Sequence, residues 1–387
     1  MKDFTLHIPT KIIFGKDAIK KLGDQIKGNY NKVLLHYGGG SIKKSGLYND
    51  VVRILKDNDC EIFELSGVEP NPKLGLVRKG VQMAKENEID LILAVGGGSA
   101  IDSAKAIGIG ALYDGDVWDF YSGKLEPEIT IPVGVVLTLP ATGSEASRGS
   151  VITNEDGLYK RSTGGDFMRP VFAIMDPTYT LTLPTKQTFA GIMDIMAHIF
   201  ERYFTQTPHV NLTDSLCEGT LKTVIQNAYI IKEDSQNYDA RAEIMFAGTI
   251  AHNGLLGVGR EEDWSSHDIG HEISALYGTT HGETLSIIFP AWMKYVYKEN
   301  VDRFVQFATK VFNVSEAEMD KDEIAIEGIK RLEGFISDIG LPKSFTEANL
   351  PTDKIDLMAE KATEDGPLGN FKKLYKDDVI KIYKLAK

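Results

Sequence analysis

DLILAVGGGSAIDSAKAIGIGAL, residues 90–112, is the stretch that decides the fold. Its first six residues are the apolar, β-rich run that is typical of a strand in a buried parallel sheet. Three glycines and a serine follow at 96–99, and the remaining residues predict a helix. A strand, a glycine turn and a helix in this order predict one unit of a parallel sheet covered by helices.

The same pattern occurs earlier in the chain. Residues 32–37, KVLLHY, predict a buried strand that runs into a first GGGS at 38–41. Because strands and helices alternate at short intervals, the first half predicts an α/β, Rossmann-like domain with a parallel sheet. The other predicted strands are two short ones broken by Pro9 within 4–14, one over 60–68, one over 131–139, and a hairpin over 148–174 that carries Lys160.

The second half of the chain has a different character. From Pro184 onward strand signals are nearly absent, and apolar residues recur near the helical period. The length of 387 residues also favours two domains over one. We therefore predict an α/β domain over residues 1–180 and an all-α domain over residues 181–387.

Composition limits the classes of partner. The formal net charge of −12 argues against nucleic acid or an anionic membrane surface. No apolar run reaches the length of a membrane span. Residues 1–11 lack the apolar core of a signal peptide, which predicts a cytoplasmic location.

Half of the eight histidines lie between residues 191 and 282. Asp194 and His198 are four residues apart, so on a helix they share one face, and His267 and His271 have the same spacing. His281 follows a predicted helix stop. An Asp/His pair alone is usually a solvated helix pair, but together these residues suit a divalent metal such as Fe²⁺ or Zn²⁺.

The two GGGS turns suggest a phosphate-bearing ligand. Glycines let backbone N–H groups approach an anion, and a helix N-terminus favours negative charge. Either turn alone could be only a tight connection, and neither is the GxGxxG fingerprint of dinucleotide-binding folds. Two copies favour a long ligand across the carboxyl edge of the sheet.

The first turn also indicates which dinucleotide binds. Enzymes that use NAD usually place an acidic residue at this strand end, where it binds the ribose 2′-hydroxyl. Here Tyr37 is followed by glycines, Ser41, Lys43 and Lys44, with no carboxylate. The turn therefore predicts a preference for NADP(H).

With these residues in hand, the chain resembles the iron-containing (group III) alcohol dehydrogenases, in particular the branch of NADPH-dependent butanol dehydrogenases and aldehyde reductases. The resemblance covers essentially the whole chain. The motifs that carry it are PTKIIFG near the start, EPNP at 69–72, GGGSAIDSAKAI from 96, TLPATGSEAS from 138, DPTYTLTLP from 176, GIMDIMAHIFE from 191 and DWSSHDIGHEISALYGTTHG from 263.

The resemblance implies a Rossmann-like nucleotide domain, a helical metal domain and an active site in the cleft between them. It implies Asp194, His198, His267 and His281 as metal ligands, with His271 near the metal. Where the family often has GMDAxxHA, this chain has Ile192, Ile195 and Met196, which leaves the pocket lining open. The implied cofactor contacts are Gly38, Gly39, Ser41, Asn71, Gly96, Gly97, Gly98, Ser99, Thr138, Thr142, Ser147, Lys160 and Tyr179.

The implied reaction is reversible hydride transfer between NADP(H) and a primary alcohol or aldehyde, with Fe²⁺ or alternatively Zn²⁺ polarising the substrate oxygen. His271 is the candidate for relaying the proton, with a structural role as the alternative. An NAD-dependent polyol dehydrogenase or a dehydroquinate synthase-like lyase is the competing function. A homodimer is common among such enzymes.

Overall fold

The computed structural model describes all 387 residues, which form two compact units. The sheet unit comprises His7–Leu183, and the helical unit comprises Met1–Leu6 together with Pro184–Lys387. None of the helices combines the length and hydropathy that a membrane-spanning segment requires.

The sheet unit contains eight strands. They are β1 (Lys11–Phe14), β2 (Lys32–Tyr37), β3 (Glu61–Leu65), β4 (Leu91–Gly96), β5 (Val133–Leu137), β6 (Gly149–Asn154), β7 (Tyr159–Gly164) and β8 (Phe172–Met175). Six of them form a parallel sheet in the order β1-β8-β5-β4-β2-β3, and β6 pairs with β7 in an antiparallel hairpin. The predicted parallel α/β sheet is confirmed.

Helices of the sheet unit cover this sheet. They are α1 (Leu22–Ile26), α2 (Ser41–Lys44), α3 (Leu47–Asp57), α4 (Leu74–Glu86), α5 (Gly98–Ala111) and α6 (Trp118–Tyr121). Short 3₁₀ helices lie at Ala18–Lys21, Asp166–Met168 and Pro177–Thr180. Every residue of α5 except Ser99 is buried. A Cβ at Gly80 of α4 would lie 2.4 Å from Ile107 Cδ1, so only glycine permits α4 and α5 to pack this closely.

The helical unit has no strand, as the sequence predicts. Its helices are α7 (Thr185–Tyr203), α8 (Asn211–Glu233), α9 (Tyr238–His252), α10 (Ser265–Tyr277), α11 (His281–Val296), α12 (Val301–Phe312), α13 (Lys321–Asp338), α14 (Ile355–Ala362) and α15 (Lys376–Leu385). Two 3₁₀ helices lie at Leu255–Gly257 and Tyr297–Glu299. Every residue of α7 from Thr188 to Tyr203 is buried, which makes α7 the centre of this unit.

Two strand predictions are wrong. Within 4–14 only Lys11–Phe14 pairs, because residues 4–8 are extended without joining the sheet and Pro9 has no N–H to donate. The predicted hairpin over 148–174 ends at Gly164, and its last residues belong to β8, which is inserted between β1 and β5. β8 is a four-residue run buried on both faces, so it has none of the alternation that identifies a strand in sequence.

A buried histidine ties three elements of the sheet unit together. His36 of β2 is fully buried; its Nδ1 lies 2.9 Å from the Leu65 carbonyl at the end of β3, and its Nε2 lies 2.8 Å from the Ser103 hydroxyl of α5. The ring is neutral in this setting, donating to Leu65 and accepting from Ser103. Burial lowers the pKa of His36 from 6.5 to about 4.

This pKa predicts acid sensitivity of the sheet unit. Between pH 6.5 and 4 the unfolded chain binds a proton at His36 that the folded chain does not, so stability falls as the pH falls through this window. The loss should reach about 3 kcal/mol. Urea unfolding across the window should show this slope in the wild type and less of it in His36→Gln. The exposed His7 supplies the control, His7→Gln, which should keep the wild-type slope.

Candidate metal centre and phosphate-binding turns

The buried helix α7 carries two of the predicted ligands. Asp194 and His198 lie one turn apart and are both nearly inaccessible to solvent. Their Oδ1 and Nδ1 atoms are 3.4 Å apart. Apart from these polar groups this stretch of α7 is largely apolar, so the helix is held in the core by its hydrophobic residues and presents its polar face inside the unit.

The helices α10 and α11 supply the remaining histidines. α10 carries His267 and His271, and it ends at Gly278, whose φ of 68° is the left-handed conformation typical of a glycine cap. His281 is the first residue of α11 rather than part of a turn. A Cβ at Gly282 would lie 1.9 Å from the Ala190 carbonyl oxygen of α7, so a glycine at 282 allows α11 to begin against α7.

Three of the predicted ligands converge. The ligand atoms of Asp194, His267 and His281 all lie within 4.8 Å of one another. His267 Nε2 and His281 Nε2 lie 3.9 Å and 3.8 Å from Asp194 Oδ1. One carboxylate oxygen and two imidazole nitrogens suit Fe²⁺ or Zn²⁺.

His198 lies beside this group of three. Its ring centroid is 4.7 Å from that of His267, and its Nδ1 is buried without a hydrogen-bond partner. Burial, together with the nearby His267, holds the pKa of His198 well below its ordinary value. The neutral imidazole is the form that binds a metal. The donor set of this site therefore fits a divalent cation, with His198 as the additional donor.

Glu201 is a residue of this site that the sequence analysis missed. Its Oε1 lies 2.7 Å from His267 Nδ1 and accepts the His267 backbone N–H, while its Oε2 accepts the Trp264 N–H. This contact fixes the ring so that Nε2 faces Asp194. A carboxylate behind a ligating histidine orients the ring and raises its basicity. The signal in the sequence was the spacing, because Glu201 follows Asp194 by seven residues on an otherwise apolar helix face.

Two further histidines surround the group. The ring centroid of His271 lies 5.3 Å from that of His281, and its Nδ1 lies 4.0 Å from Asp268 Oδ1. His252 of α9, which the sequence analysis did not single out, stacks on His198 with a centroid distance of 4.2 Å. Five imidazoles therefore line one region of the helical unit.

In the sheet unit, the two GGGS turns lie side by side. They follow β2 and β4, which are neighbours in register, with Tyr37 opposite Val95. After β2 the chain crosses outward to β3, and after β4 it crosses in the opposite direction to β5. Ligands of doubly wound sheets bind at such a switch point, outside the carboxyl ends of the strands.

Glycine is required in the second turn by close packing. A Cβ at Gly98 would lie 2.4 Å from Thr142 Oγ1, and a Cβ at Gly97 would lie 3.1 Å from Leu139 Cβ. The Thr138 N–H donates to the Gly96 carbonyl at 2.9 Å. The fold therefore brings the predicted contacts of the turn at 96–99 against those at 138–142.

Two other predicted contacts meet over a long sequence separation. Lys160 Nζ of β7 donates to Asn71 Oδ1 at 3.0 Å, and both residues are buried. The Thr153 N–H of β6 donates to the Pro72 carbonyl at 2.8 Å, which ties the hairpin to the segment that follows β3.

The remaining predicted contacts lie apart from these pairs. Tyr179, in the 3₁₀ helix Pro177–Thr180, packs against the core on the β2 side of the sheet, and burial raises its pKa. Gly38, Gly39 and Ser41 lie in the first turn, and Ser99 is the second residue of α5. Ser147 lies in the segment before β6.

A buried lysine that the sequence analysis missed holds this last segment. Lys105 Nζ donates to Ser144 Oγ at 3.0 Å and to the carbonyls of Ser147 and Gly149, each at 2.9 Å. Asp102, one turn earlier on α5, accepts the Ser144 hydroxyl. Burial lowers the pKa of Lys105 to about 8. Charged residues three positions apart in an apolar helix were the available signal.

The contact between Glu201 and His267 predicts that Glu201 tunes metal affinity. Glu201→Gln removes the charge behind the imidazole, so metal binding should weaken about ten- to a hundredfold. Metal occupancy measured by mass spectrometry after dialysis against graded chelator tests this. The control is Glu218→Gln, a buried carboxylate of α8 that accepts the Tyr203 hydroxyl. Equal metal retention in both variants would contradict the role of Glu201.

Comparison with known proteins is consistent with these sites. The model of the iron-containing alcohol dehydrogenase family matches residues 9–177, and that of the Fe-containing alcohol dehydrogenase family, C-terminal, matches residues 188–387. The chain is 44% identical to the probable NADH-dependent butanol dehydrogenase 1 of Bacillus subtilis, over 100% of both chains. It is 36% identical to the NADPH-dependent aldehyde reductase YqhD of Escherichia coli, also over 100% of both chains.

A solved structure agrees with the fold. The NADH-dependent butanol dehydrogenase A of Thermotoga maritima superposes with a TM-score of 0.96 at 40% identity, covering 100% of this chain and 99% of the other. The family models span both halves of the chain. The resemblance seen in the motifs is therefore confirmed, and the chain belongs to the iron-containing alcohol dehydrogenase family.

Proposed function

We propose that this protein transfers a hydride reversibly between NADP(H) and a short aldehyde, giving a primary alcohol. The observation that carries the proposal is the convergence of Asp194, His267 and His281 beside His198 in the helical unit. The names of the relatives, butanol dehydrogenase and aldehyde reductase, support the substrate class. A bound divalent metal supplies Lewis-acid polarisation of the substrate oxygen.

Each half of the chain has a proposed task. Residues 1–180 bind the dinucleotide at the two glycine turns and at the contacts named above, and residues 181–387 hold the metal. Asp194, His198, His267 and His281 are the proposed ligands, with Glu201 orienting His267. Fe²⁺ is the proposed ion because of the family, and Zn²⁺ is the alternative because it accepts the same ligand types.

His271 is the proposed proton carrier. It lies near His267 and His281 but outside the group of three that converges on Asp194. The side chain is 7% exposed, so it is largely shielded from bulk solvent. When an aldehyde is reduced its oxygen gains a proton, and an imidazole in this position can donate it.

NADP(H) is the proposed cofactor because the first glycine turn lacks an acidic residue of its own and has the Ser41 hydroxyl beside it. Hydrogen bonds to a charged 2′-phosphate are worth roughly 1.5–3 kcal/mol each. The relatives include proteins named for NADH and for NADPH, so their names support a nicotinamide cofactor and leave the choice to this turn.

A homodimer is the proposed assembly. Phe4, Leu6 and Ile8 are exposed apolar side chains at alternate positions of an extended segment. Such a segment can pair with a strand of a second copy. Light scattering tests the dimer against the chain mass of 42.7 kDa. The competing lyase and polyol dehydrogenase functions are not favoured, because both family models and these relatives are alcohol or aldehyde oxidoreductases.

The proposal predicts metal-dependent consumption of NADPH. Short aldehydes such as butyraldehyde should be reduced by anaerobically loaded protein, a chelator should abolish turnover, and Fe²⁺ or Zn²⁺ should restore it. His198→Ala should lose metal and activity together, because it removes the donor beside Asp194. The ratio of kcat/KM for NADPH to that for NADH gives the cofactor preference. Turnover that survives in metal-free protein would refute the metal-dependent mechanism.

The proposed proton role predicts a selective effect of His271→Ala. The variant should retain its metal and lose kcat by about a hundredfold or more, since positioned acid–base groups contribute 10²–10⁴. Mass spectrometry of the metal and steady-state kinetics measure the two quantities. Loss of metal would make His271 a ligand, and unchanged kcat would make it structural. His209→Ala, at an exposed position, is the control.

A further inference from the structure

A charged cluster lies beside the first glycine turn. We define the Glu64 cluster as Tyr37, Lys43, Tyr48 and Glu64. The Tyr37 hydroxyl donates to Glu64 Oε2 at 2.8 Å, and the Tyr48 hydroxyl donates to Glu64 Oε1 at 2.5 Å. Lys43 Nζ lies 4.6 Å from the centroid of the Tyr48 ring and 5.3 Å from that of Tyr37. One carboxylate therefore binds both tyrosines, and their ring faces hold the ammonium group.

The cluster carries opposite charges. Burial acts to raise the pKa of Glu64, but the hydrogen bonds from Tyr48 and Tyr37 and the charge of Lys43 outweigh it, so the pKa lies below its usual value. Contact with Tyr37 raises the pKa of Lys43. Glu64 is thus ionised and Lys43 is protonated near neutral pH. A carboxylate does lie near the first turn, contributed by the neighbouring strand β3 rather than by β2.

The cluster is attached directly to the turn. Tyr37 is the last residue of β2, and Lys43 lies two residues beyond Ser41 on α2. The backbone N–H groups of Gly67 and Val68, after β3, donate to the carbonyls of Gly38 and Tyr37, each at 3.3 Å. The ribose of a bound dinucleotide meets the residues at this type of strand end. The charges of Glu64 and Lys43 therefore act where a 2′-phosphate would lie.

We propose that Glu64 is a positioning residue that holds Lys43 on the tyrosine rings, and that it thereby limits the preference of this enzyme for NADPH over NADH. The inference rests on the proposed nicotinamide function of the glycine turns. Two effects act together. The carboxylate repels a 2′-phosphate, and it keeps the nearest ammonium group from turning toward that phosphate. An NADH molecule, which has only a 2′-hydroxyl, is affected by neither.

Two adenosine nucleotides isolate this effect from catalysis. Adenosine 2′,5′-bisphosphate and 5′-AMP differ only in the 2′-phosphate, and calorimetric titration of the metal-loaded protein gives both affinities. In Glu64→Gln the affinity ratio of the bisphosphate to AMP should rise about fivefold, as expected for removing one exposed charge near the phosphate. The gain should shrink at high salt, because exposed charges are screened. The ratio of kcat/KM for NADPH and NADH should move in the same direction.

Matched variants separate charge from structure. Glu61→Gln removes an exposed carboxylate from the opposite end of the same strand and should leave the affinity ratio unchanged. Lys43→Met should change the ratio less than about twofold in the wild-type background, because Lys43 is held on the rings. In the Glu64→Gln background the same change should abolish the gain, and this double-mutant cycle measures the coupling.

The outcomes distinguish the two levels of inference. An unchanged affinity ratio in Glu64→Gln, or equal changes for both nucleotides, overturns the role of Glu64. A large fall in the ratio for Lys43→Met alone also overturns it, and this test does not depend on the folding of Glu64→Gln. If the wild-type protein binds neither nucleotide, the nicotinamide function itself fails, and the inference fails with it.

Discussion

The burial of ionisable groups on α7 is the constraint on which the helical unit depends. Asp194, His198 and Glu201 all lie in the core, where an ionised group without partners would cost several kcal/mol. The cost is offset when other elements deliver partners, and α10 does so by placing His267 between Glu201 and Asp194. A divalent cation is the natural counter-charge for what remains, so metal binding and the packing of these helices are linked.

Close approach of backbones makes both sites possible. In the helical unit Gly282 lets α11 begin against the Ala190 carbonyl, next to the position where His281 is needed. In the sheet unit Gly97 and Gly98 let the second glycine turn pack on the segment that carries Leu139 and Thr142. Side chains at these positions would separate the elements by an ångström or more, which is larger than the tolerance of a metal site or a phosphate cradle.

Polar groups buried beneath the sheet have a different purpose from those at its edge. Lys105 and Asp102 satisfy the carbonyls and hydroxyls of the segment before β6, and His36 does the same between β2, β3 and α5. Their partners are all within the protein, so they fix the backbone on which the cofactor contacts lie. Glu64 and Lys43 are exposed, and their charges can act on a ligand. Burial therefore separates the groups that shape the turns from those that tune recognition.

The sequence by itself determined the α/β and all-α halves, the two glycine turns and the helical spacing of the Asp194 and His267 pairs. These features are local, because apolar periodicity, glycine content and i, i+4 spacing depend on neighbours in the chain. Only the tertiary structure decided the short strand β8, the carboxylates Glu201 and Glu64, and the placement of His252 beside His198. Each depends on contacts between segments distant in sequence. Sequence patterns carry no signal for such contacts, because charge, hydrogen bonding and packing between distant segments are set by where the chain folds back on itself.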